Sequence, residues 1–192
     1  LSREQAIALV ADHLDAQDVV VTTTGMTSRE LFEYREAHNK DHRHDFLTVG
    51  SMGHASQIAL GIALSKPERS VYCIDGDGAL IMHGGSLAIL GTQAPQNFKH
   101  IVINNGAHDS VGGQPTAGFS INIPAWAQSC GYHVVLTAQN APAVKSQLAI
   151  FKTIPGPALL EIRVHKGARK DLGRPTTTPQ ENKKAFMEFL NT

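Results

Sequence analysis

The residues best suited to chemistry fall in two short polar segments, each placed directly after a predicted β-strand. One reads Gly-Asp-Gly at 76–78 and the other Asn-Asn at 104–105, with 25 residues between them. The glycines allow the backbone to turn sharply and to approach an anion. A helix predicted to start at Ala79 would point free amide groups at that anion. Because Asp77 and Asn105 offer hard oxygen ligands, the two segments together predict a site for Mg²⁺ and phosphate.

Hydrophobic strands alternate with helices along the chain, and these elements must position the two polar segments. Each strand is nearly continuously hydrophobic, which is typical of a parallel sheet covered on both faces. We predict an α/β fold, a doubly wound and mainly parallel sheet with helices on both faces, forming a single domain over residues 1–192. Strands are expected at 18–24, 70–75, 100–104, 132–136 and 158–164, and helices at 2–14, 27–34, 54–65, 79–92, 124–130, 141–151 and 178–190. Ligands of such sheets bind beyond the carboxyl ends of the strands.

The residue types, spacing and strand context of these two segments resemble the thiamine diphosphate motif, in which GDG is followed after about 25 residues by NN. Alone, GDG would indicate a turn. The resemblance implies that thiamine diphosphate and Mg²⁺ are the cofactors. It further implies that Asp77 and Asn105 are metal ligands, with Ala107 contributing its backbone carbonyl.

A third segment, Gly-Ser-Met-Gly at 50–53, supports the same family. Met52 lies 25 residues before Asp77, as in the acetolactate synthase and pyruvate decarboxylase superfamily. There the matching residue is wedged between the two cofactor rings and bends the cofactor, although a methionine alone could equally fill a gap in a core. The loop 24–28 is implied to touch the diphosphate, and Thr27 or Ser28 could also cap the next helix. The resemblance thus implies cofactor contacts at Gly25, Thr27, Gly50, Met52, Gly76, Asp77, Gly78, Ala79 and Asn105.

Three loops extend the resemblance to the phosphonopyruvate decarboxylase family: 24–32 (TGMTSRELF), 48–57 (TVGSMGHASQ) and 104–116 (NNGAHDSVGGQPT). That family converts 3-phosphonopyruvate to phosphonoacetaldehyde and CO₂, with the cofactor acting as an electron sink. The alternative is the β subunit of sulfopyruvate decarboxylase, a separate cofactor-binding subunit of similar length. The loop side chains that could bind the phosphonate are Arg29, His108, Ser110, Gln114 and Thr116.

Histidines supply the remaining candidates. His54 and His108 are the catalytic candidates on this chain, although a histidine at a helix start is more often structural. The segment 108–110 contains the residue types of a catalytic triad, but adjacent positions cannot form that relay, which argues against a hydrolase. The loop 37–45 could be a metal tract, but its interleaved basic residues favour a solvated loop for His38, His42 and His44.

Composition narrows the function classes. The 17 basic residues balance the 17 acidic ones, which argues against a nucleic-acid-binding surface. The apolar runs are too short to span a membrane, and the chain has no recognisable signal segment, so we expect a cytoplasmic protein. Cys73 and Cys130 lie far apart and are expected to be buried free thiols.

The superfamily places its cofactor between two domains on different chains, the second of which supplies a catalytic glutamate. No such pyrimidine-binding domain is recognisable in these 192 residues. The resemblance therefore implies a partner domain or subunit, a homo-oligomer and a small 2-oxo acid substrate, with no activity for this chain alone. The missing initiator Met favours an excised half over a natural subunit. Two other classes remain: a non-catalytic thiamine diphosphate-binding module, and a dinucleotide-binding domain, which lacks the expected GxGxxG after its first strand.

Overall fold

Six parallel strands form the central sheet of the protein in a computed structural model that describes all residues, 1–192. The strands of the chain are β1 Val19–Thr22, β2 Asp45–Leu47, β3 Val71–Gly76, β4 Phe98–Asn104, β5 Ala107–His108, β6 Gln114–Pro115, β7 Val134–Ala138 and β8 Ala158–Arg163. The order in the sheet is β2-β1-β3-β4-β8-β7, and β5 and β6 form a separate antiparallel pair. The central pair, β3 and β4, thus ends side by side at one edge of the sheet.

Eight helices cover the sheet: α1 Arg3–His13, α2 Met26–Ala37, α3 Ala55–Ser65, α4 Asp77–Met82, α5 Gly85–Gln93, α6 Ile123–Ser129, α7 Ala141–Thr153 and α8 Pro179–Leu190. Helices α1, α2 and α7 pack on one face through a buried cluster that includes Ile7, Leu31 and Phe151. Helices α3 to α6 and α8 pack on the other face, around Leu87 and Phe98. The predicted doubly wound α/β class is confirmed. No helix of the structure has the length and apolar character needed to cross a lipid bilayer.

The predicted starts of the first and last helices are confirmed, and in both a side chain caps the helix. Ser2 accepts from the backbone of Gln5, which reaches back in turn, and Thr178 forms the same reciprocal pair at the start of α8. The second helix differs. Neither Thr27 nor Ser28 caps α2: the N-cap residue is Gly25, at φ 100°, and no side-chain hydrogen bond caps this helix.

The predicted helix 79–92 is wrong in two respects. The first helix already begins at Asp77, and the segment divides into α4 and α5 around His83 and Gly84. The indole ring of Trp126 occupies the position where a side chain on Gly84 would lie, so α6 packs closely against the chain at this break.

The expected solvated loop 37–45 is wrong at Ala37, which ends α2, and at its last two residues. His44 and Asp45 are buried, and Asp45 begins β2. Its carboxylate pairs with the Arg35 guanidinium, Nε lying 2.9 Å from Oδ2. The strand is only three residues long and directly follows a polar stretch, so it is too short for hydrophobic periodicity to reveal it.

Candidate functional site

A cleft lined mostly by polar residues lies where β1, β3 and β4 end. Gly76 pairs with Ile103 in the register of β3 and β4, so the residues that follow these strands emerge at the same level. Loops after β2 and β4 complete the walls. The lining residues are Arg3, Thr23, Thr24, Met26, Thr27, Met52, Gly76, Asp77, Gly78, Ala79, Ile103, Asn105, Ala107, His108, Asp109 and Ser110.

The Asp77 carboxylate is buried in this cleft, with 1% of the residue exposed. Its Oδ2 accepts a hydrogen bond from the Thr116 hydroxyl, and its Oδ1 lies 3.4 Å from the backbone N of Asn105. Burial raises the pKa of the Asp77 carboxyl, and the Thr116 bond opposes that rise. None of the ion pairs in the structure includes Asp77. A buried carboxylate of this kind is stabilised by a cation, so the donor set fits a hard metal ion.

The amide of Asn105 is held in one orientation. Its Nδ2 donates to Oδ2 of Asp109 at 2.7 Å, and its Oδ1 accepts from the backbone N of Ala107 at 3.1 Å. The preceding Asn104 is fully buried instead and donates to the Glu161 carboxylate at 2.7 Å. The two asparagines therefore have different surroundings, and only Asn105 borders the cleft.

Met52 lies half-buried at the cleft wall on a tight turn. Ser51 and Gly53 on either side have positive φ values of 47° and 86°. The turn is linked to the loop after β1, because the backbone N of Gly50 donates to Oγ1 of Thr24 at 3.1 Å. This contact brings the 50–53 and 24–28 segments together.

Several predicted site residues do not line the cleft. Thr116 approaches it only through its bond to Asp77. His54 is exposed, with its ring 4.4 Å from that of His83. Gly25 lies against Ser110, since a Cβ on it would be 3.3 Å from Oγ of Ser110. The others outside the lining are Gly50, Arg29 and Gln114.

Two charged residues of the site were missed by sequence reasoning. Arg3 belongs to the first turn of α1 yet is 5% exposed and reaches the cleft. Asp109 was considered only as part of a triad, but it binds Asn105 and Arg3 instead. No local pattern reveals Arg3. The position of Asp109, four residues after Asn105 in a polar loop, was the one signal that could have found it.

A buried polar cluster adjoins the turn at Gly76 and is hydrogen-bonded to it. Asp75 is fully buried and accepts from the backbone N of Gly76 at 2.9 Å. Its other oxygen lies 3.6 Å from Nε2 of His100, whose Nδ1 lies 2.9 Å from the Tyr132 hydroxyl. The Sγ atom of Cys73 lies within 4.8 Å of a carboxylate oxygen of Asp75 and of a ring nitrogen of His100. Both cysteines are free, but Cys130 is only half-buried, against the expectation.

Residues 23–162 match the family model described as thiamine pyrophosphate enzyme, C-terminal TPP binding domain. The chain belongs to this family. Thiamine pyrophosphate is thiamine diphosphate, so the predicted resemblance is confirmed. The matched segment contains the Gly-Asp-Gly and Asn-Asn segments and every lining residue of the cleft except Arg3.

Two groups of curated relatives differ in how much of their own length aligns with this chain. A phosphonopyruvate decarboxylase of Streptomyces viridochromogenes is 38% identical over 191 residues, covering 100% of this chain and 47% of the relative. A sulfopyruvate decarboxylase subunit beta of Methanocaldococcus jannaschii is 34% identical over 164 residues, covering 80% of this chain and 84% of the relative. The chain thus spans about half the length of the Streptomyces relatives it matches.

The fold is also found among solved structures. A candidate thiamin diphosphate-dependent enzyme from Mycobacterium smegmatis superposes with a TM-score of 0.69 at 20% identity. The alignment covers 87% of this chain and 32% of that chain. At this identity the likeness supports the fold alone.

Proposed function

We propose that this chain forms the diphosphate- and Mg²⁺-binding half of a thiamine diphosphate-dependent decarboxylase that converts 3-phosphonopyruvate to phosphonoacetaldehyde and CO₂. The observation that carries the proposal is the buried Asp77 carboxylate, which has no ion-pair partner and borders the cleft together with the oriented Asn105 amide. The 38% identity to phosphonopyruvate decarboxylase over 191 residues supports this substrate.

Different residues in and beside the cleft would bind the metal ion, the diphosphate and the cofactor rings. Asp77, Asn105 and the Ala107 carbonyl would hold Mg²⁺. Backbone amides near the start of α4 and the Thr27 hydroxyl would face the diphosphate, together with Gly76 and Gly78. Gly25 lies outside the cleft lining and would have to reach the diphosphate from the adjoining loop. Met52 offers an apolar surface for the cofactor rings, while Gly50 would offer its backbone carbonyl.

When bound, thiamine diphosphate supplies an electron sink for the electron pair left by the departing CO₂. The protein must bind the substrate phosphonate without placing a nucleophile or excess water beside the cofactor. His108 and Ser110 line the cleft and can donate hydrogen bonds to an anion. Thr116 is occupied with Asp77, and Arg29 and Gln114 lie outside the lining, so His108 and Ser110 are the main candidates on this chain.

A partner must complete the site. We propose a pyrimidine-binding domain or subunit that supplies the catalytic glutamate, in a cytoplasmic homo-oligomer acting on a small 2-oxo acid. The support is the coverage: the chain matches 47% of the Streptomyces decarboxylase but 84% of the Methanocaldococcus β subunit. The same 84% favours a second candidate, the β subunit of a sulfopyruvate decarboxylase.

Two measurements test the proposal. Calorimetric titration of thiamine diphosphate into the 192-residue chain should give binding that requires Mg²⁺. Decarboxylation should appear only after a pyrimidine-binding partner is added, with kcat/KM for 3-phosphonopyruvate about tenfold or more above that for 3-sulfopyruvate, a difference of about 1.4 kcal/mol. A reversed preference would favour the second candidate. Absence of Mg²⁺-dependent binding both in the chain alone and with the partner added would refute both candidates.

A further inference from the structure

A buried network of charged side chains is hydrogen-bonded to the Asn105 amide. Oδ2 of Asp109 accepts from Asn105 Nδ2 at 2.7 Å, from an Arg3 terminal nitrogen at 2.7 Å and from the backbone N of Gly167 at 3.0 Å. The same guanidinium binds both oxygens of Glu30, at 2.8 and 2.9 Å. The side chains of Arg3, Glu30 and Asp109 are at most 6% exposed.

The two ends of an asparagine amide are nearly equal in size but opposite in function, since the oxygen accepts and the nitrogen donates. A carboxylate can only accept, so Asp109 draws the nitrogen end of Asn105 to itself. The oxygen end is thereby turned to the other side, where it accepts from the backbone N of Ala107. Without Asp109 the amide could turn over and present N–H groups to a cation.

Arg3 balances the charge of Asp109. A buried carboxylate without a cation is costly, and a free one beside Asp77 would compete with Asn105 for a metal. The bidentate bond to Glu30 fixes the guanidinium plane, so that one terminal nitrogen is directed at Asp109. Arg3 is thus fully engaged within the protein.

We infer that Asp109, held by Arg3, is a positioning residue that sets the orientation of the Asn105 amide for Mg²⁺. This inference rests on the proposed function, because Asn105 is a metal ligand only there. It assigns a role to Asp109 that is separate from any contact with substrate, and it makes α1 part of the metal site.

The test is a Mg²⁺ titration of the chain at saturating thiamine diphosphate, followed by calorimetry. Loss of a residue that orients a metal ligand typically lowers affinity about 10- to 100-fold, so Asp109→Ala should weaken Mg²⁺ binding by at least tenfold. Asp109→Asn keeps an acceptor oxygen for Asn105 and should recover part of the affinity. Arg3→Lys keeps a charge but loses the forked geometry and should give an intermediate value.

The buried pair of Arg35 and Asp45 provides the matched control, with side chains 4% and 1% exposed. Asp45→Asn should lower Tm and leave the Mg²⁺ affinity within about twofold of the unaltered chain. If the Asp109 variants lower Tm but bind Mg²⁺ as the unaltered chain does, Asp109 is structural only and the inference fails. If Asp109→Ala does not fold, the Asp109→Asn titration decides by the same criterion. Absence of Mg²⁺-dependent binding in the unaltered chain, with and without its pyrimidine-binding partner, would instead refute the proposed function and the inference with it.

Discussion

The imidazole of His108 lies directly against Gly78: a Cβ on residue 78 would stand 2.5 Å from Cε1 of His108. The same Cβ would be 3.1 Å from Cγ2 of Thr116. These two residues belong to the loop that carries β5 and β6, so this loop packs on the first turn of α4 only because residue 78 has no side chain. Glycine is required at this position because there is no room for a Cβ atom, and not because of the backbone conformation.

Gly78→Ala should therefore lower the free energy of unfolding by about 1–3 kcal/mol, the typical cost of overpacking. Urea denaturation measures this. Gly61→Ala is the matched control, because Gly61 lies in α3 and nothing stands within 4 Å of the position that an added methyl group would take. That change should stabilise the protein by about 0.5–1 kcal/mol. Equal effects of the two substitutions would show that His108 does not press on Gly78.

Asp77→Asn should abolish the rise in Tm that Mg²⁺ and thiamine diphosphate cause together, while leaving the Tm of the free chain unchanged or higher. Burial raises the pKa of this carboxyl, so the ionised form is unfavourable in the free chain and its removal costs little. Differential scanning calorimetry with and without both ligands checks the prediction. Asp41→Asn, at an exposed pair with Arg43, should retain the full ligand-induced rise. A full rise in Asp77→Asn would remove Asp77 from the metal site.

Met52→Ala should lower kcat of the complete enzyme by about tenfold or more, equal to about 1.4 kcal/mol, with a small change in Tm. The side chain is half-buried at the cleft wall, so its removal should affect ligand orientation more than the core. Met82→Ala is the control, because Met82 is 54% exposed. A large fall in Tm with unchanged kcat would assign Met52 to the core.

Asp18→Asn should raise Tm at pH 7. Burial raises the pKa of the Asp18 carboxyl above its ordinary value of 3.8. The folded chain therefore keeps this proton to higher pH than the unfolded chain, and stability falls as the pH rises from 3.8 through the folded pKa. The increase in Tm caused by the Asp18→Asn substitution should reach its full size above the folded pKa and disappear below pH 3.8.

Asp41 provides a control of opposite sign. A hydrogen bond from Arg43 lowers the pKa of the Asp41 carboxyl, so its ionised form stabilises the fold at neutral pH. Asp41→Asn should thus lower Tm slightly at pH 7. Thermal melts of both variants between about pH 3 and about pH 8 measure these changes. A change in Tm of the same sign at about pH 7 in both variants would contradict the two predictions.

The edge of the sheet that carries the candidate metal site could be predicted because its determinants are local. Asp77 and Asn105 each follow an unbroken hydrophobic strand, and parallel strands end at the same edge. The close packing at Gly84, where the predicted helix divides, could not be predicted, because Trp126 comes from another helix. The same holds for Arg3, whose partner Asp109 lies 106 residues away and which is indistinguishable in sequence from a solvated first-turn arginine.

Arg3 and Gly167 both lie outside residues 23–162, the segment that defines family membership. Both nevertheless bind the carboxylate that orients Asn105. A chimaera assembled by transplanting that segment alone into a related scaffold would carry every oxygen ligand yet leave the asparagine amide free to rotate. Its host would have to provide an arginine on the helix before the first strand and a backbone donor after the last one.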